Sequence, residues 1–183
     1  KYKKEIKFRT LDEVERTLSS QDLTISDSKK PLCLAGIFGG IDSGISEKTT
    51  SIFIESAYFD PITVRKSAKH HNLSTDSSYR FERGVDPNIS KYALKRAVLM
   101  IKEVCKDSIV SSDLIDLYPN AIEDIQIILG FDKIEKIVGQ KIDKEIIKNI
   151  ISSLDIKINS ITESNLGISI PSYRNDVIRE ADV

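Results

Sequence analysis

Three stretches of this sequence carry groups suited to chemistry, and all lie between Gly36 and Pro87. The first is Ala35-Gly-Ile-Phe-Gly-Gly-Ile-Asp-Ser-Gly44, with four glycines in nine positions. Glycine admits positive φ and lets a ligand approach the main chain closely. The stretch lacks the Gly-Lys-Ser/Thr of a P-loop, and its G-x-x-G-G-x-x-x-G spacing is not the dinucleotide fingerprint. It reads either as a binding loop or as a bulged turn between strands. The second is Glu55, set in the apolar run Ser51–Phe59. A carboxylate in such a run must be paired or face a cavity. It then either orients a water, accepts a proton or binds an amino group, or it forms a structural ion pair with Arg80 or Arg83.

The third is Thr75–Pro87. Alternation there puts Tyr79 and Phe81 on one side and Arg80 and Glu82 on the other. The charged residues fit a fixed buried network or contacts to RNA phosphates. Thr75, Ser77 and Ser78 bring hydrogen bonds without bulk and suit a pocket wall. A serine with His70 or His71 and Asp76 offers the side chains of a hydrolytic triad, but the sequence has no nucleophile elbow. Adjacent helical histidines point about 100° apart, which argues against a shared metal. Near the end of the chain, Asp176 and Asp182 are oxygen ligands of the kind magnesium takes, or solvated acids near a helix start.

The elements that hold these groups are read from periodicity. Glu5–Phe8, Leu23–Ile25, Leu32–Ala35 and Ser51–Tyr58 read as strands. Thr10–Glu13 is a capping box or a turn. Asp60-Pro61 and Asp86-Pro87 each place an N-cap carboxylate before a proline, predicting helices to about His71 and about Cys105. The second carries Ile89, Ala93, Ala97, Met100 and Val104 on one face. Ser108–Tyr118 reads as an acidic strand and connector, and Pro119-Asn120 as a turn. Beyond it come a helix over Asp132–Val138 stopped by Gly139, and a helix capped by Asp143 with the stripe Ile146, Ile147, Ile150, Ile151 and Leu154. Strands around Ile156–Ile161 and Gly167–Ile170 follow, the latter ended by Pro171. The class is α+β: a mixed-sheet module with flanking helices over 1–118, then a small α+β module over 119–183. Both ends read as cut, since a strand opens without a turn and an amphipathic pattern begun at Val177 stops.

Composition narrows the function classes. The 183 residues are 40% hydrophobic and 30% charged, as in a folded globular chain. No apolar run approaches the roughly 18 residues of a membrane span, and Lys1–Arg9 has no apolar signal-peptide core. Cys33 and Cys105 make no zinc spacing and predict no disulfide framework, so a reducing cytoplasm is the expected home. Net charge is −1, but from Pro61 to Lys106 there are ten Lys/Arg against four Asp/Glu. From Asp107 to Asp132 there are six acids and no base. The middle of the chain therefore offers a basic face, with Arg65, Lys66 and Lys69 on the first helix as candidate RNA contacts, or an ordinary solvated face.

Gly36-Ile-Phe-Gly-Gly40, Ile54-Glu-Ser-Ala-Tyr-Phe-Asp-Pro61 and Thr75–Pro87, in this order and spacing, closely resemble the β subunit of bacterial phenylalanine–tRNA ligases. Val138-Gly139, Ile150–Leu154 and Pro171-Ser-Tyr-Arg-Asn-Asp176 resemble the small module that follows there. The resemblance implies that residues 1 to about 118 are most of an editing module, which hydrolyses tyrosine wrongly attached to the phenylalanine tRNA. It implies that Glu55 recognises the tyrosine hydroxyl, that Gly36 and Gly39 line the pocket, and that Thr75 and Ser77 form the opposite wall. Many members have alanine where this chain has Ser77. No catalytic nucleophile is implied; a positioned water would attack. The family's pocket also draws a histidine from upstream of Lys1, so an incomplete editing site is expected. Asp176 and Asp182 match two of the family's magnesium ligands, the other two lying beyond Val183. The whole enzyme would use ATP and Mg2+, act on tRNA, and pair two α with two β subunits. A non-catalytic RNA-binding or subunit-interface module is the alternative.

Overall fold

The computed structural model describes residues 5–183, so the basic start at Lys1–Lys4 lies outside the described residues. The described residues divide into two compact units, one of residues up to 85 and 89–109, the other of 86–88 and 110–183. The expected junction at 118/119 lies in the stretch 105–124, which has neither helix nor strand.

In the first unit, β1 (Ile6–Arg9) and β2 (Glu15–Leu18) form an antiparallel hairpin. The Thr10–Glu13 stretch between them is a turn, closed by the Glu13 amide donating to the Thr10 carbonyl. A second sheet has the order β3 (Thr24–Ser26), β4 (Pro31–Leu34), β5 (Phe38–Gly39). Helix α1 (Pro61–His70) starts as predicted: the Asp60 carboxylate accepts from the Thr63 amide at 2.8 Å, and proline takes the first helical position. It ends before Asn72, whose φ is +52°. Val64, Ser67 and Ala68 form its buried stripe. Val64 and Ala68 pack with Phe8, Leu18, Leu34 and Ile37, and with the half-buried Phe59, Leu73 and Phe81.

Four expectations fail here. Ser51–Tyr58 is not a strand, because β propensity makes a strand only where a neighbour offers a ladder. The run from Asp76 is not an alternating segment but a short helix, α2 (Asp76–Phe81). Helix α3 (Ser90–Val104) begins at Ser90, not Pro87. The Asp86 carboxylate instead accepts from the Asn88 amide, closing a local turn ahead of the helix. The face of α3 is also rotated: Leu94, Ala97, Val98 and Ile101 are half-buried, while Ile89, Met100 and Val104 are exposed.

The second unit is a three-stranded antiparallel sheet in the order β6 (Ile125–Gly130), β8 (Asn165–Ile170), β7 (Lys157–Ile161). Strand β6 has no counterpart in the sequence reading, and Ser108–Tyr118 forms no strand. Helix α4 (Phe131–Val138) ends at Gly139, with φ +81°. Helix α5 (Lys144–Ser153) is capped by Asp143. Of its predicted stripe, Ile147 and Ile151 are buried, whereas Ile146 and Ile150 are half-exposed. The core is Leu129, Phe131, Ile147, Ile151, Ile156, Leu166, Ile168, Ile170 and Val177. The class is α+β. All described strand pairs are antiparallel, where a mixed sheet was expected. Among the described residues no helix is long and apolar enough to cross a membrane.

Candidate functional site

The glycine-rich loop joins β4 to β5. The chain reverses at Gly36, whose φ is +69°. A Cβ there would stand 2.9 Å from Phe59 Cδ2 and 3.1 Å from Phe81 Cγ. The two rings, with centroids 5.1 Å apart, thus lie directly against the Gly36 backbone. Gly39 is less demanding, since its Cβ would meet only the flexible end of Leu11 at 3.0 Å.

Facing the loop is the start of α2. Thr75 is its N-cap and forms a reciprocal box with Ser78: Thr75 Oγ1 accepts from the Ser78 amide at 3.0 Å, and Ser78 Oγ accepts from the Thr75 amide at 2.9 Å. The Thr75 hydroxyl also donates to the Ile37 carbonyl at 2.7 Å. One side chain therefore caps the helix and ties it to the glycine loop. Ser77 is half-buried, and among the described residues its hydroxyl has no hydrogen-bond partner.

Glu55 lies on the stretch 51–59, which has no ladder hydrogen bonds. Among the described residues it forms no ion pair. Arg83 instead pairs with Glu82 at 2.7 Å and lies over the Tyr79 ring. The structural ion pair considered for Glu55 is therefore absent among the described residues. Its side chain keeps access to water, yet the protein crowding its other side raises its pKa above the usual carboxylate range. Burial also pushes the Cys33 thiol up, and the nearby Glu55 charge adds to that.

These parts meet in one cleft of about 570 Å3. Gly36, Gly39, Glu55, Thr75 and Ser77 all line it, from three separate stretches of sequence. Leu34, Ile37, Phe38, Ala57, Phe59 and Phe81 supply apolar wall, and Cys33, Ser56 and Asp76 the remaining polar positions. The sequence reading did not single out the aromatic pair or Asp76 as lining residues; Phe59 and Phe81 flank the motif residues but have no polar group to mark them. A second depression, of about 340 Å3, is bordered by Lys7, Arg9, Lys29 and Lys30. Three of these cations are already paired, with Glu15, Glu13 and Asp42.

On α1, Arg65, Lys66 and Lys69 are all exposed, and Arg65 also donates to the Glu82 carbonyl at 2.8 Å, which braces α1 against the end of α2. His71 does not face Asp76. Its Nε2 lies in the core, 3.0 Å from Asp22 Oδ2. Ser67 donates to Asp22 rather than to a histidine, so among the described residues it forms no nucleophile–base pair. Burial would raise the Asp22 pKa, but the Ser19 amide, the Ser67 hydroxyl and His71 outweigh it and hold the carboxyl below its usual range.

In the second unit, Asp176 is held by both Nε and Nη2 of Arg174, each at 3.0 Å. Asp182 is held by Arg179 and also accepts from the Ile178 and Arg179 amides. Both carboxyls are lowered below their usual range, each chiefly by its arginine. Among the described residues no group of three potential metal ligands comes together. Two carboxylates, each closed by a guanidinium, do not fit a magnesium site as arranged.

A family model described as the B3/4 domain matches residues 1–106. The chain belongs to the B3/4 domain family. A second model, the tRNA synthetase B5 domain, matches residues 127–183. The cleft thus lies in the B3/4 unit, and Asp176 and Asp182 in the B5 unit. The phenylalanine–tRNA ligase β subunit of Bacteroides thetaiotaomicron is 48% identical over 96% of this chain, and that of Porphyromonas gingivalis is 44% identical over 96%. The β subunit of Carboxydothermus hydrogenoformans is 39% identical over 97%. The chain spans about a fifth of the length of these relatives.

Proposed function

We propose that this chain is part of a phenylalanine–tRNA ligase β subunit and that its B3/4 cleft hydrolyses tyrosine mischarged onto the phenylalanine tRNA. The observation that carries this reading is the convergence of Gly36, Gly39, Glu55, Thr75 and Ser77 on one cleft, with the Glu55 carboxyl unpaired inside it. The aromatic ring lies against Leu34, Ile37, Phe59 and Phe81. Glu55 takes the phenolic hydroxyl. A phenylalanyl ring leaves that crowded acid without a partner, which is how a site built for a hydroxyl rejects the analogue lacking it. Water adds to the ester carbonyl carbon, the bond to the ribose oxygen breaks, and that oxygen leaves with a proton. The chain's own residues orient the ester. None acts as covalent nucleophile: the Cys33 thiol is held protonated, and no serine in the cleft has a histidine beside it.

The exposed Arg65, Lys66 and Lys69 meet tRNA phosphates, Arg65 while one of its donors also holds the Glu82 carbonyl. The whole cytoplasmic enzyme attaches phenylalanine to tRNA with ATP and Mg2+, in a complex of two α and two β subunits. No step in this cleft is routed through the metal. The test is deacylation of tyrosyl-tRNA by the complete ligase carrying Glu55→Ala. Clearance should slow by at least about tenfold, because the group that pairs with the hydroxyl is gone. Unchanged clearance would remove Glu55 from the reading and favour a non-catalytic RNA-binding or interface module.

A further inference from the structure

The B3/4 cleft has a charge bias that ring recognition leaves unused. Of its 14 lining residues, only Glu55 and Asp76 carry carboxylates, and none is Lys, Arg or His. Glu55 is the crowded acid whose proton is held more tightly. Asp76 is different: it is exposed, at the first position of α2. An acid there favours the positive end of the helix dipole, while the cap itself is made by Thr75 and Ser78. Among the described residues Asp76 makes no hydrogen bond or ion pair, and Arg80, one turn along, does not reach it. The cleft therefore holds one exposed carboxylate that, among the described residues, no hydrogen bond or ion pair occupies.

Resting on the proofreading reading, we infer that Asp76 reads the α-ammonium of an esterified amino acid and sets the charge preference of the cleft. An aminoacyl ester carries that ammonium and no carboxylate, so it enters with a net positive charge. Hydrolysis adds water across the ester and leaves a free carboxylate on the amino acid. The product is then zwitterionic in a cleft whose only charged lining residues are acids, and its new charge is repelled. The same side chain favours substrate entry and product departure. N-acylation removes the ammonium and, with it, the contribution of Asp76.

The experiment compares wild type with Asp76→Asn, which keeps shape and removes charge. The complete ligase is assayed for deacylation of tyrosyl-tRNA and of N-acetyl-tyrosyl-tRNA. In parallel, this chain is titrated by NMR with tyrosinamide, a cation, and N-acetyl-tyrosinamide, which is neutral. Asp76→Asn should slow clearance of tyrosyl-tRNA about fivefold, the scale of one solvent-exposed ion pair, and leave the N-acetylated substrate unchanged. Tyrosinamide binding should weaken by the same factor, and Asp76→Glu should restore most of it. Equal losses on both substrates would make Asp76 structural and overturn the inference, as would no loss on either. If the wild-type ligase clears neither substrate, the proofreading reading itself fails. The amide titration then decides separately, with a preference for tyrosinamide that Asp76→Asn abolishes supporting the charge role and equal binding refuting it.

Discussion

Thr75→Val tests whether one hydroxyl holds the two walls of the cleft together. Valine keeps the volume and branching of threonine and suits the extended backbone at this position, φ −117° and ψ 161°. What it loses is Oγ1, and with it two interactions. The cap on the Ser78 amide is worth about 1 kcal/mol. The bond to the Ile37 carbonyl belongs to a residue only 2% exposed, and leaving such a group without its partner costs about 1–3 kcal/mol. The sum, about 2–4 kcal/mol, corresponds to a roughly thirtyfold or greater rise in the opening equilibrium of the B3/4 unit. The chain has no tryptophan, so far-UV circular dichroism in urea is the suitable measure of stability. Hydrogen exchange locates the effect and should show faster exchange in α2 and in the loop 35–40. Thr75→Ser keeps the oxygen and should retain most of the stability. A Thr75→Val change below about 0.5 kcal/mol, or an equal loss in Thr75→Ser, would show that the two walls are held by packing alone.

Other substitutions test the remaining parts. Gly36→Ala should destabilise the B3/4 unit by about 1–3 kcal/mol, through its left-handed φ and the contact with Phe59, read as a lower urea midpoint. Glu55→Gln should raise stability at neutral pH and change little in acid. Folding raises the Glu55 pKa, so the folded chain binds that proton more tightly than the unfolded chain. The Glu55 penalty is then absent below about pH 4 and complete above the raised value. Stability curves of the two proteins across pH 3–8 should therefore converge at the acid end, and convergence at the alkaline end instead would contradict the direction of the shift. Reversing Lys66 and Lys69 to glutamate should weaken tRNA binding by the complete ligase. It should also reduce the slope of log affinity against log salt by roughly 1.4, that is about 0.7 for each lost phosphate contact. An unaltered slope would make α1 a solvated face only.

Much of this architecture could be read from local chemistry. The starts of α1 and α5 followed from Asp60-Pro61 and Asp143, because a cap is a contact between near neighbours. Gly139 marked the end of α4 for the same reason. The misses are tertiary. Ser51–Tyr58 has the composition of a strand, but a ladder needs a second chain segment, and none is supplied among the described residues. Asp86-Pro87 has the letters of a cap, yet Asp86 is spent on a turn. Thr75–Phe81 was read as alternating because its aromatics and charges alternate, while the reciprocal Thr75 and Ser78 bonds select a helix. The five pocket residues follow from the resemblance to phenylalanine–tRNA ligase β subunits. That Asp76 shares their cleft, and that Arg65 also bonds the Glu82 carbonyl, depends on three-dimensional placement that no spacing encodes.

The absence of a ladder along 51–59 has a further consequence. Two sides of the cleft are stiff: the glycine loop and α2 are joined through Thr75 and wedged by Phe59 and Phe81. The stretch that carries Glu55 is fastened at its end by Phe59 but has no ladder upstream of it, so the acid is less constrained to one position than the ring slot is. Selection by such a cleft is strict about the thickness of the ring and lenient about where around its rim the hydroxyl sits. Positional isomers of one phenol would then be accepted together, and a larger ring system would be refused whatever its polarity.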